Sequence, residues 1–84
     1  MNRPGDLVLS LAGHDAGKRY MVMEVLNDRV VLADGKRKTL ERPKRKNPRH
    51  LALLGHCKAL ADKLQNQEKI TDVDIKYYLK HWEE

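Results

Sequence analysis

The sequence predicts a mainly β protein: a small five-stranded barrel over residues 1–54 that carries a basic loop, then a two-helix extension over 55–84 packing on that barrel. Three observations lead there. Short runs rich in Leu and Val alternate with polar residues and are parted by Gly, Asn and Asp, which is how a β-meander reads. Near His56 the apolar spacing changes from two to helical. At 84 residues, the chain can bury one core only.

Pro4-Gly5 leads into a first strand over about residues 6–12, where Leu7, Leu9 and Leu11 alternate with Val8 and Ser10. Gly13-His14-Asp15-Ala16-Gly17-Lys18-Arg19 is turn chemistry followed by two adjacent cations. Gly17 is the position where a positive φ costs least, because it lacks the Cβ that clashes there. A second strand is expected at about 19–26, with Tyr20, Val22 and Val25 among its residues. Asn27-Asp28 reads as a two-residue hairpin turn in αL geometry, leading to a third strand at 29–33. Asp34-Gly35 is a stronger turn signal of the same kind and points to a fourth strand at 37–41 around Leu40. The run KRKTLERPKRKNPR, Lys36 to Arg49, follows, held extended by Pro43 and Pro48. A closing strand at 50–54 returns to the core, with Gly55 ending it.

From about His56, Leu53, Cys57, Leu60, Ala61 and Leu64 follow helical spacing. Residues 66–69 break that helix, and Thr71 opens another. Thr71 as N-cap, Asp74 as its capping-box partner and Ile70 stapled to Ile75 form a consistent start signal. Ile75, Tyr78, Leu79 and Trp82 give the second helix one apolar face, which needs the first helix or the barrel as its partner.

The formal charge is +5, unevenly placed: residues 1–54 carry 12 basic and 6 acidic side chains, and 55–84 carry 5 and 6. Attraction for a polyanion is therefore expected in the first part. Eight of the residues from Lys36 to Arg49 are Lys or Arg, against the single acid Glu41. One cysteine, Cys57, excludes an internal disulfide and fits a reducing compartment. No apolar run reaches the length of a membrane span, and the start does not read as a leader, so a cytoplasmic protein is expected.

The stretch GDLVLSLAGHDAGKRYMVMEVLNDRVV, Gly5 to Val31, resembles a KOW module, with Gly17 at that motif's characteristic glycine. KOW modules are SH3-like barrels of ribosomal proteins and NusG-type transcription factors. The string AGHDAGK is most similar to the fourteen-e family of archaeal and eukaryotic large-subunit ribosomal proteins, and Asp34-Gly35 before Lys36, with Arg49-His50-Leu51, resembles its basic hairpin and closing strand. Tyr20 departs from the Gly of many bacterial KOW ribosomal proteins, and the helical tail has no counterpart in that family. The resemblance implies RNA binding in translation, at the ribosome or beside it, with ribosomal RNA and ribosomal proteins as partners.

A tight turn carrying His14, Lys18 and Arg19, shaped by Gly13 and Gly17, offers phosphate oxygens both backbone N–H groups and positive charge. Lys36, Arg37, Lys38, Arg42, Lys44, Arg45, Lys46 and Arg49 are the remaining candidate RNA contacts, the arginines favoured because a guanidinium grips phosphate or stacks on a base. The plainer alternatives are a solvated hairpin and a solvated charged loop. With only Tyr20 aromatic in the first part, phosphate and shape should outweigh stacking. A P-loop is excluded: Gly13 stands one residue too close to Gly17, and Arg19 replaces the Mg²⁺-binding Ser or Thr. No metal site, cofactor, small-molecule substrate or catalytic set is expected. His56 and Cys57 are adjacent and diverge, and no nucleophile has a base at readable spacing. A protein-interaction adaptor using Tyr77, Tyr78 and Trp82 is the alternative from another class. Duplex-DNA binding fits the charge but lacks a basic helix suited to a major groove.

Overall fold

The computed structural model describes residues 2–82. Five antiparallel strands, β1 (Asp6–Ser10), β2 (Arg19–Val25), β3 (Val30–Ala33), β4 (Lys44–Lys46) and β5 (Leu51–His56), form one sheet in the order β4-β3-β2-β1-β5. A 3₁₀ turn at Pro48–His50 joins β4 to β5, and the helices α1 (Lys58–Gln65) and α2 (Asp72–Trp82) follow. Among the described residues no ladder joins β4 to β5, so the sheet is open with those two strands at its edges.

The central strands are buried on both faces, which explains why β3 is buried at all four of its positions. Register assigns the faces. Leu7 stands opposite Met21, and Met21 opposite Ala33; these three pack with Cys57, Leu60 and Ile75 beneath the two helices. Val8 stands opposite Tyr20, and Val22 opposite Leu32; together with Val30 they fill the other face. One strand alternation thus serves two clusters, and the helices share a core with the sheet.

Helix α2 starts where the sequence gives a reason, whereas α1 begins at its N-cap Cys57 with no side-chain cap. The amide of Asp74 donates to Thr71 Oγ1 (3.2 Å) and the amide of Thr71 donates to Asp74 Oδ2 (3.0 Å), a complete capping box. Ile70 packs against the cluster that contains buried Ile75, completing the staple. At the start of α1, the Cys57 amide donates to the Gly5 carbonyl (2.8 Å), tying the helix to the beginning of β1. Trp82 at the far end of α2 lies directly over Gly55 of β5, where a Cβ would overlap its ring.

The expected closure into a five-stranded barrel is not shown, since the sheet among the described residues is open, and three further expectations need correction. The fourth strand is not at 37–41 but at Lys44–Lys46. Asp34 Oδ1 accepts the amides of Lys36 and Lys38 (2.9 Å each), and Asp72 Oδ1 accepts that of Leu40 (2.9 Å). Side-chain carboxylates have taken the donors a strand would have used, and pairing with β3 waits until Lys44. The closing strand runs on to His56 instead of ending at Gly55; Leu54 is the extra residue between the Leu7–Gly55 and Val8–Leu53 pairs, a β-bulge. The turn at Asn27-Asp28 is present, with the Leu26 amide donating to the Arg29 carbonyl (2.8 Å). Neither residue has positive φ, so it is not the αL turn expected.

Candidate nucleic-acid interface

The loop between β1 and β2 is pinned from inside by Asp15. Its carboxylate accepts hydrogen bonds from Lys46 Nζ (2.9 Å), Tyr20 Oη (2.9 Å) and Ser10 Oγ (3.1 Å). Lys46 Nζ also donates to the Ala12 carbonyl (2.8 Å), clamping the loop at two points. This cluster is nearly closed to solvent: the Lys46 side chain is 9% exposed and that of Asp15 13%. Burial works against the charge on Asp15, yet the bonds from Lys46, Tyr20 and Ser10 prevail and hold its carboxyl well below the usual carboxylate range. Burial, reinforced by the bond to Asp15, pushes the Tyr20 hydroxyl above the ordinary tyrosine range.

Register explains why a lysine from the most basic stretch points inward. Lys44 and Lys46 stand opposite Leu32 and Val30 and share their face, whereas Arg45, opposite Val31, turns the other way into solvent. The aliphatic stem of Lys46 therefore covers the inner cluster while its ammonium reaches the carboxylate. Lys46 leaves the set of RNA-contacting candidates: its charge is already neutralised within the fold. Tyr20, at 1% exposure, is likewise closed to base stacking.

With the loop fixed in this way, Gly17, Lys18 and Arg19 face outward. Gly17 has φ of 88° and Gly13 87°, and a side chain at Gly17 would meet open space, so its backbone conformation is what requires glycine. Lys18 and Arg19 line a cleft of about 700 Å³ together with Lys36 and Arg37 from the turn after β3, and with Lys76, Leu79 and Lys80 from α2. Among the described residues Asp34 is its one carboxylate, and that group is occupied by the amides of the turn. Close approach of the helix is possible because the turn has Gly35 (φ 78°) beneath α2; a Cβ there would collide with the Asp72 carbonyl and the Lys76 side chain. A larger cleft of about 850 Å³ has the opposite character. Arg3 and Lys58 face Glu24 and Asp62 there, so cations and carboxylates balance.

Of the candidates read from sequence, the cleft unites Lys18, Arg19, Lys36 and Arg37 beside Gly17. His14, Arg42, Arg45 and Arg49 are exposed but lie outside it, as does Gly13; Lys38 and Lys44 are half-buried. Lys76 and Lys80 are the members that charge counting missed, since their helix belongs to a nearly neutral tail. Their spacing of four on a helix is the one local sign that they share a face.

Among the described residues, no helix is long and apolar enough to cross a membrane. Neither a comparison with protein-family models nor one with curated proteins returns a match.

Proposed function

We propose that this chain is an RNA-binding module of the KOW, SH3-like type that grips structured RNA, ribosomal RNA first, through its phosphates, and works in translation as a binding protein with no catalytic step. The observation that carries this reading is the cleft: among the described residues, six cations from three separate elements, Lys18, Arg19, Lys36, Arg37, Lys76 and Lys80, converge around one occupied carboxylate. Gathering like charges costs folding energy unless a polyanion repays it on binding. The guanidinium groups of Arg19 and Arg37 supply planar forks suited to phosphate oxygens, and the lysines supply point charges. Recognition by phosphate and shape also suits a first half whose one aromatic side chain, Tyr20, is buried.

The test is fluorescence anisotropy of the purified chain against a ribosomal RNA fragment, tRNA and duplex DNA of equal length, each across a salt series. Preference for structured RNA is expected, with steep salt dependence that becomes shallower when Lys36 and Arg37 are changed to Ala. Weak binding to all three, unaffected by those changes, would refute the reading. A second reading, a protein-interaction adaptor, rests on β5: this sheet edge exposes Leu53 and Leu54, adjoining the Gly55 on which Trp82 lies. That edge becomes the functional surface if no nucleic acid binds.

A further inference from the structure

Helix α2 brings a second kind of chemistry to the side of the basic cleft. Lys76 and Lys80 line the cleft with Leu79. One step farther round the helix toward solvent come Val73 and Tyr77, 68% and 57% exposed. The ring of His81, one turn beyond, lies 4.1 Å from that of Tyr77, tilted by 40°. An exposed pair of mutually packed aromatic rings therefore borders the two cations. Of the other aromatic side chains, Tyr20 is buried, Tyr78 packs on the helix-side core, and Trp82, 40% exposed, lies over Gly55 away from the cleft lining.

We propose that Tyr77, backed by His81, is a stacking platform, and that the RNA segment held in the cleft is unpaired, one of its bases lying on Tyr77 while adjacent phosphates sit on Lys76 and Lys80. This inference rests on the RNA-binding reading of the cleft. Paired bases cover one another's faces, so a duplex could satisfy the lysines but would leave Tyr77 unused; a single strand or loop satisfies both. An acidic peptide likewise answers only the lysines. Nucleotides combine anionic groups and flat rings in one repeating unit, and that combination selects the ligand class.

The experiment compares an RNA strand of about a dozen nucleotides with the same sequence annealed to its complement, by anisotropy across a salt series. Tyr77→Ala should weaken binding of the strand roughly tenfold, leave its salt slope unchanged and leave the duplex unaffected. Tyr77→Phe should retain the parent affinity, since the ring supplies the contact. Lys76→Ala with Lys80→Ala should do the reverse, lowering the slope on the strand by about 1.4. If Tyr77→Ala binds the strand as tightly as the parent, or loses strand and duplex alike, the platform is refuted while the RNA reading stands. A parent protein that binds neither overturns both and directs attention to protein partners.

Discussion

The basic stretch from Lys36 to Arg49 and the helix α2 make opposite use of their lysines. In the stretch, where cations are densest, Lys46 turns inward and spends its charge on Asp15 and the Ala12 carbonyl. In the helix, drawn from the nearly neutral tail, Lys76 and Lys80 face the cleft. Local charge density and presented charge are thus different quantities. The first is a sum along the chain; the second depends on which face of an element each residue occupies and on what already pairs with it.

Removing the charge on each side should separate fold from binding. The largest expected effect is Lys46→Ala, which strands the Asp15 carboxylate in a nearly closed site and should cost about 3 kcal/mol by urea unfolding. Tyr20→Phe removes one hydrogen bond to that carboxylate and should cost about 1.5 kcal/mol in the same measurement. By contrast, Lys76→Ala with Lys80→Ala touches exposed helix positions and should change stability by no more than about 0.5 kcal/mol, while lowering the salt slope of RNA binding. A stable Lys46→Ala protein would break the comparison.

The Asp15 cluster also sets a pH window. The folded state depresses the Asp15 carboxyl, so its contribution is present above the unfolded value near 3.9 and is lost as pH falls below it. The Tyr20 hydroxyl is raised, so its contribution is complete below about pH 10 and is lost as pH rises beyond. Urea midpoints should therefore decline at both ends. Asp15→Asn should flatten the acid limb and Tyr20→Phe the alkaline one; an unchanged acid limb in Asp15→Asn would show that the cluster does not set it.

The parts of the fold written in adjacent residues were legible in the sequence. The strand pattern gave β1 and β2, and the Asn27-Asp28 turn signal gave β3, each to within two residues, while Thr71, Asp74, Ile70 and Ile75 announced the start of α2. The fourth strand was illegible because the carboxylate that holds Leu40 out of the sheet belongs to Asp72, 32 residues away in sequence. The inward turn of Lys46 was hidden for a different reason. Lys44, Arg45 and Lys46 are all cations, so no apolar residue in the strand marks its face, and only pairing with β3 reveals the register. For the cleft, Lys18, Arg19, Lys36 and Arg37 were recoverable from turn chemistry and charge. Lys76 and Lys80 required knowing that α2 docks over Gly35.

The bond between the Leu40 amide and Asp72 has a consequence in hydrogen exchange. Leu40 lies in a stretch with no sheet partner, where an amide ordinarily exchanges at the rate of an open loop. Its acceptor here sits on the first turn of α2, so the proton is shielded only while the helix stays docked. One backbone resonance thereby becomes a gauge of helix opening, readable against the sheet amides of β2 in the same spectrum.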